Sequence, residues 1–399
     1  MKADELHPAD RLAYDHALVA EPVWNRLEIA ADAASLPADT LLHAGPAFKA
    51  PAEIARPILN SACAAAVHEG LAADLDQAEG MITAGEIALR PAQDHGVVVP
   101  LAAVVSASMP LHRVYDAHRG QVAAHAPING GSGPAMRLGL RSTDVVEHLK
   151  WVNDEFAAWL EGGIAEGIPL VPLAARSLAN GDDCHGRTIA GADMLAGELL
   201  ARGDGGRNAR VEEFLETSPG VFLNLWMAAS KCAMLAADGI AGSGLVTAAG
   251  GNGVTVGIQV SGLPGQWFLA PAAPPEGETG HVAADRALGA VGDSAVVEAF
   301  GLGAMAVHLS PKQRELFGNF LPKDAPRRRR ILPLGRHPGF HAVDIRLGLS
   351  ARRVVQSGTT PLVGLGIIDR FGQEGRIGGG LYDMPAAIFA EAVAALEQG

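Results

Sequence analysis

The sequence predicts an α+β protein of several domains, with mixed α/β parts at both ends and a helical part between them. Three observations lead there. Residues 245–271 read as strand, glycine break, strand, turn, strand, with period-two alternation through Val254, Val256, Ile258 and Val260. Helical spacing of apolar residues recurs at 51–73, 142–160, 220–237 and 384–398. A chain of 399 residues is also long enough for two or three domains with sizeable cores. The expected division is an N-terminal arm over 1–28, an α/β domain over 29–141, a helical domain over 142–217 and a C-terminal α/β domain with glycine-rich loops over 218–399.

Hydrophobic residues make up 48% of the chain and charged residues 19%, a globular balance that is low in charge. The net charge of -13 argues against a nucleic-acid partner or an anionic membrane surface. No apolar window reaches the roughly 18 residues of a membrane span. The first residues lack the apolar core of a signal peptide, so no secretion signal is expected. Cys63, Cys184 and Cys232 form neither a CxxC pair nor a disulfide framework, which fits a reducing cytoplasm.

Along the chain, residues 1–28 read as an exposed or loosely docked arm. His43 lies in the turn HAGP, ahead of the helix of 51–73 that Gly70 stops. The strand-like run GVVVPLAAVVSA at 96–107 is interrupted by Pro100, which implies an edge, a bulge or a strand end. APINGGSGPAMRLG at 126–139 is either a flexible loop or a substrate-facing one with Asn129 and Arg137 as polar contacts. An arginine beside a glycine loop can clamp a carboxylate or phosphate. Ser142-Thr143-Asp144 caps the next helix. GDDCHGRT at 181–188 precedes another, and RGDGGRN at 202–208 reads as a solvated loop. Ser218-Pro219 starts a helix that is apolar nearly all round, with Asn224 and Lys231 as exceptions, so it should be buried. KDAPRRRR at 323–330 reads as a solvated basic loop, 343–346 and 354–355 as strands, 362–368 as a buried strand and 375–380 as a glycine-rich turn.

Several constellations could carry chemistry. The glycine break at 250–253 offers unhindered N–H groups, and Gly251, Asn252 and Gly253 could form an anion-binding concavity. Equally, Asn-Gly is the strongest short signal for a tight hairpin. Asp183 and His185 bring carboxylate and imidazole to a helix start, as acid, base and substrate contacts or as a capping turn. Arg187 in the same segment, His43, Asp293 and Ser294 at a later helix start, and Thr359 in the turn SGTTP are further candidate substrate contacts. No spaced Cys/His set points to a transition metal. Neither a Walker A loop nor a GxSxG elbow is present, and no cofactor is expected.

The ordered motifs go further together than singly. LLHAGP at 41–46, SASMP at 106–110, NGGSGPAMRLG at 129–139, GDDCHGRT at 181–188 and FLNLWMAASK at 222–231 resemble one family. GNGVTVGIQVSGL at 251–263, then WFLAPA, GDSAVVEAFGLGA, SGTTP and the closing GRIGGG complete the set in the same order. This is the YlbE-like (AllG-type) family, long catalogued as a domain of unknown function, and the resemblance spans roughly residues 20–385.

The resemblance implies a three-part α+β architecture with an orthogonal helical segment in the middle. It implies a subunit of an oxamate carbamoyltransferase-like enzyme, which exchanges a carbamoyl group between phosphate and oxamate in purine-nitrogen (allantoin) catabolism. An FdrA-like subunit related to acyl-CoA synthetases is the implied partner, in a cytoplasmic homo- or hetero-oligomer. The implied ligands are oxamate or a ureido compound, with carbamoyl phosphate or phosphate. On that reading glycine-loop N–H groups and Arg137 bind the anion, Asn252 orients the amide, and Asp183 or His185 moves protons. The loop NGGSGP at 129–134 lacks the Glu and Lys of the family's NEGxGK pattern. The alternatives are therefore a non-catalytic scaffold or regulatory partner of the FdrA-like subunit, and a paralogue hydrolysing another amide. The apolar helices of 220–237 and from 293 onward, the second with Gly301, Gly303 and Ala304, are expected to need cover that another subunit could supply.

Overall fold

The computed structural model of the chain describes residues 6–202, 208–343 and 345–398. The fold is α+β, with five small sheets among the described residues and helices packed around them. No described helix is long and apolar enough to cross a membrane.

The N-terminal segment is built into the fold, which corrects the expectation of a loose arm. Pro8–Leu18 is a helix. Pro22–Ile29 is a strand between Pro110–Asp116 and Ile168–Pro169, with Ala123–Pro127 at the far edge of the sheet. A bulge between Trp24 and Arg26 breaks the period-two alternation that would have betrayed this strand. Asp10, only 2% exposed, anchors the helix. Its carboxylate accepts from Gly244 N at 2.6 Å and from Ser350 Oγ at 2.5 Å. Asp10→Ala leaves those donors without a partner in the interior and is expected to cost about 3 kcal/mol. Urea unfolding reads this as a lowered midpoint; an unchanged midpoint would mean the segment adds nothing to stability.

One core lies under Arg56–His68 and the sheet of Ala88–Pro91, Thr40–His43 and Val104–Val105. The helix opens with Pro57 in its first turn, and Gly70, at φ 77, follows its end. The run 96–107 is not one strand. Pro100 has no N–H to give and Leu101 takes φ 49; Val97 makes a single parallel bridge to His125 before the break, and Val104–Val105 joins a sheet after it.

The larger core surrounds Gly220–Leu235, which is buried on every side. Its polar exceptions are both bonded. Asn224 Nδ2 donates to Pro127 O at 2.7 Å, and Lys231 Nζ donates to Thr247 O at 2.9 Å, with burial lowering the lysine to about 8. The cover expected from another subunit is internal. Val296–Phe300 packs in the same core, and a Cβ on Gly301 would lie 2.9 Å from Leu347 Cα.

Val246–Asn252, Thr255–Val260 and Leu263–Pro271 form a meander, with Val291–Gly292 on the other edge. Of the two readings of 250–253 the hairpin holds and the anion loop does not: Gly250 and Gly251 pair in the sheet, and Gly253 turns at φ 85. A Cβ on Gly250 would lie 2.6 Å from Asp293 Oδ1, so glycine here admits a neighbour rather than a bend. The same correction applies at 375–380. Arg376–Asp383 is a strand paired with Leu362–Ile368 on one side and antiparallel with Glu276–Glu278 on the other, where a Cβ on Gly380 would lie 2.5 Å from Glu276 O.

Val354 and Val355 lie in the helix Ala351–Ser357, not a strand. The basic run is the helix Ala325–Ile331, whose Arg328 pairs with Asp324 and Asp383 at 3.0 and 2.8 Å. The strand expected at 343–346 includes Asp344, outside the described residues, and the neighbouring strand is Leu347–Leu349. Most of the loop expected at 202–208 also lies outside them.

Candidate functional site

The segment GDDCHGRT is tightly wound. Asp183 Oδ1 accepts from the N–H groups of His185 and Arg187, both at 2.9 Å. Cys184, between Asp183 and His185, takes φ 65, a left-handed conformation that is costly for any residue with a Cβ. Asp182 Oδ2 accepts from Ser177 Oγ at 2.7 Å and Gly191 N at 2.9 Å, which ties the segment to the helices Leu170–Ala179 and Ile189–Arg202. This winding brings His185 and Arg187 to a cavity of about 320 Å³. Asp183 and Cys184 stay fully buried outside its lining.

His185 Nδ1 lies 2.8 Å from each oxygen of Glu298. The carboxylate only accepts, so Nδ1 carries the hydrogen and Nε2 is left to the cavity. Glu298 Oε1 also accepts from Ala304 N and Gly364 N, both at 3.0 Å. Gly303 makes the room, because a Cβ there would collide with Glu298 and lie 3.0 Å from His185 Cβ. Burial lowers the pKa of His185, but the charge and hydrogen bond of Glu298, with the Asp183 charge, together outweigh it and the net shift is upward. Burial pushes the Asp183 carboxyl up to about 6 against its backbone hydrogen bonds.

Arg137 and Arg376 line the same cavity. Arg137 Nε and Nη2 donate to Gly131 O at 3.1 and 2.8 Å, and Arg376 Nε donates to Gly378 O at 2.8 Å. Neither pairs with a carboxylate among the described residues. Burial, and after it the Arg376 charge, lower Arg137 to about 10, and burial lowers Arg376. Arg376 lies over the glycines of its hairpin, where a Cβ on Gly366 or Gly379 would approach the guanidinium to 3.3 or 3.1 Å. Arg187 Nε makes a loose contact of 3.6 Å with Asp182. No carboxylate is among the described lining residues, so three guanidinium groups face this space with little compensation. Such a lining is electrostatically complementary to anions. Ile189 and Leu316, 42% and 60% exposed, also line it.

Of the candidates read from the sequence, the cavity gathers Asn129, Arg137, His185, Arg187 and Ser294, with Asp183 bracing the segment behind. The polar atoms of Asn129 are committed: Oδ1 accepts from Gly131 N at 2.9 Å and Nδ2 donates to Asn224 Oδ1 at 3.0 Å. His43, Gly251, Asn252, Gly253, Asp293 and Thr359 lie outside the lining. Asn252 Oδ1 accepts from Val254 N and Thr255 N at 2.9 and 2.7 Å, which closes the hairpin. His43 is fully buried and held neutral, with burial lowering it to about 4. Asp293 does not cap its helix. It accepts from Gly45 N, Val99 N and Gln93 Nε2 at 2.9, 3.0 and 2.7 Å and so clamps three segments together. Thr359 Oγ1 accepts from Arg327 Nη1 at 2.6 Å.

The sequence reading missed Glu298 and Arg376. The signals were an acid in the apolar stretch AVVEAFGLGA and an arginine inside GRIGGG. No group of three or more His, Cys, Asp or Glu among the described residues is placed to hold a metal ion.

A family model described as oxamate carbamoyltransferase subunit AllG matches residues 87–294. The chain is 34% identical over 380 residues to the oxamate carbamoyltransferase subunit AllG of Escherichia coli (strain K12), covering 90% of this chain and 89% of that one. It is 32% identical over 410 residues to the uncharacterized protein YahG of the same strain, covering 98% and 86%. The fold matches the crystal structure of a conserved protein of unknown function from Enterococcus faecalis V583 with a TM-score of 0.92 and 29% identity, covering 98% and 97% of the two chains. The α+β architecture and the family resemblance read from the ordered motifs both hold, and the chain belongs to the AllG family of oxamate carbamoyltransferase subunits.

Proposed function

We propose that this chain is a subunit of a carbamoyltransferase that moves a carbamoyl group between the nitrogen of oxamate and an oxygen of phosphate, and that the 320 Å³ cavity is where its anions bind. The observation that carries this reading is the cavity itself. Arg137, Arg187 and Arg376 line it beside an imidazole that Glu298 holds from behind, and among the described lining residues there is no carboxylate, Asp182 touching Arg187 from outside the lining at 3.6 Å. Membership of the AllG family and the name of its E. coli relative support the choice of substrate.

In the direction that forms carbamoyl phosphate, the C–N bond between the carbamoyl carbon and the oxamate nitrogen breaks. A C–O bond to phosphate forms. His185 Nε2 takes the proton from the attacking phosphate oxygen and returns it to the departing nitrogen, which leaves as the NH2 of oxamate. Glu298 stabilises the imidazolium in between, and the guanidinium groups stabilise charge on phosphate and carboxylate. The partner is an FdrA-like subunit. The exposed Ile189 and Leu316 beside the cavity support a docking face there.

The experiment is phosphorus NMR of carbamoyl phosphate mixed with oxamate and the chain co-expressed with its FdrA-like subunit. Oxamate-dependent release of phosphate that His185→Gln abolishes is the expected result. Release that is indifferent to His185→Gln would make this chain a scaffold.

A further inference from the structure

The short helix Pro311–Phe317 buries only Gln313 and Phe317, which lie one turn apart on the same face, and both line the cavity. One of these two inward positions is therefore spent on a carboxamide, at a site 6% exposed. Its amide makes no hydrogen bond to any described residue. Buried polar groups nearly always have partners, and an amide left without them is unfavourable.

The backbone opposite makes room for this amide. A Cβ on Gly186 would lie 2.5, 2.8 and 3.3 Å from Gln313 Nε2, Cδ and Oε1, so the carboxamide lies across Gly186 where any side chain would displace it. Gly186 is not among the glycines of positive φ. Close approach, rather than backbone conformation, is what calls for glycine there. His185 is the preceding residue, and it lines the same cavity as the amide.

Other polar groups of the lining are one-sided or already engaged. The guanidinium groups only donate. Asn129 is bonded at both its polar atoms, and Thr188 Oγ1 donates to Pro219 O at 2.8 Å. A carboxamide on a substrate presents a carbonyl oxygen and an N–H along one edge, and it needs a donor and an acceptor side by side in return. Gln313 offers that pair in one plane.

We propose that Gln313 reads the carboxamide of the substrate. Oε1 accepts from the substrate N–H and Nε2 donates to its carbonyl oxygen, while the arginines take its carboxylate. Gln313 thereby selects a carboxylate bearing an adjacent carboxamide over a 2-oxo acid of the same shape. This rests on the reading of the cavity as the substrate site, and it adds the residue that sets the choice of substrate there.

The test is calorimetric titration of two probes into the full chain. One is oxamate, and the other is pyruvate, which has a methyl where oxamate has NH2. A site built to bond an N–H disfavours the analogue that lacks it. The wild-type chain should therefore bind oxamate tighter than pyruvate by roughly tenfold or more. Gln313→Met keeps the length of the side chain without its polar atoms. It should weaken oxamate and leave pyruvate nearly unchanged, bringing the two constants within about threefold of each other. Equal wild-type constants overturn the inference without recourse to a variant. A Met variant that keeps the wild-type ratio overturns it too, because a packing role weakens both probes alike. Either outcome leaves the anion site standing, whereas binding of neither probe to the wild-type chain overturns both.

Discussion

His185→Gln is expected to lower the carbamoyl-transfer rate by roughly 10²–10⁴-fold, the usual worth of a positioned general acid–base group. Glutamine keeps a donor for Glu298, so the buried carboxylate is not left without its side-chain partner and the fold should persist. Glu298→Gln separates positioning from structure. The Glu298 charge raises the His185 pKa, and the amide removes that charge. In the direction where His185 first acts as base, its neutral form is active, and the rate rises with pH through its pKa. Removing the charge lowers that pKa, so the acid limb of the pH–rate profile should move to lower pH. A role confined to packing would depress the rate without moving the limb. The readout is the pH dependence of kcat for both variants.

Arg376→Ala is expected to weaken phosphate or carbamoyl phosphate binding by about 1.5–3 kcal/mol, the range for hydrogen bonds to charged groups, which is a loss of roughly ten- to a hundredfold. Stability should move little. The Arg376 side chain is solvent-exposed at the start of its strand and donates to Gly378 O, so its removal costs the fold little. Calorimetry of phosphate binding and thermal unfolding of the same variant check the two halves separately. Lower stability with unchanged affinity would assign Arg376 to the fold rather than to a ligand.

Pro8–Leu18, Ala325–Ile331 and Ala351–Ser357 were read as arm, loop and strand, but the longer amphipathic helices were legible. Their apolar spacing is regular and their stops are chemical: Gly70 ends one and Ser142 starts another. The strands were not, wherever glycine or a bulge interrupts them. Gly250, Gly251 and Gly378 to Gly380 read locally as breaks. They are strand residues, and most are glycine because a distant neighbour leaves no room for a side chain: Asp293 Oδ1 at Gly250, Ala290 O at Gly251, and the Glu278 and Glu276 carbonyls at Gly378 and Gly380. That is a long-range fact with no local signal. The bulge at Trp24 likewise hid the strand that turned an expected arm into part of a sheet.

The candidate site divides the same way. GDDCHGRT concentrates its chemistry in one stretch, so His185 and Arg187 could be picked out, and an arginine beside a glycine loop pointed to Arg137. Glu298 joins His185 from 113 residues away. Arg376 looked like part of a turn. The polar residues that drew attention at Asn252 and Asp293 are there to satisfy backbone N–H groups in the interior.

The most direct measurement is crystallographic: diffraction from crystals of this chain soaked with oxamate and inorganic phosphate. Anion density in contact with Arg137, Arg187 and Arg376, with His185 Nε2 facing it, is the predicted result. Density at the Asn252 hairpin or elsewhere, with the arginine-lined cavity holding only water, would contradict it.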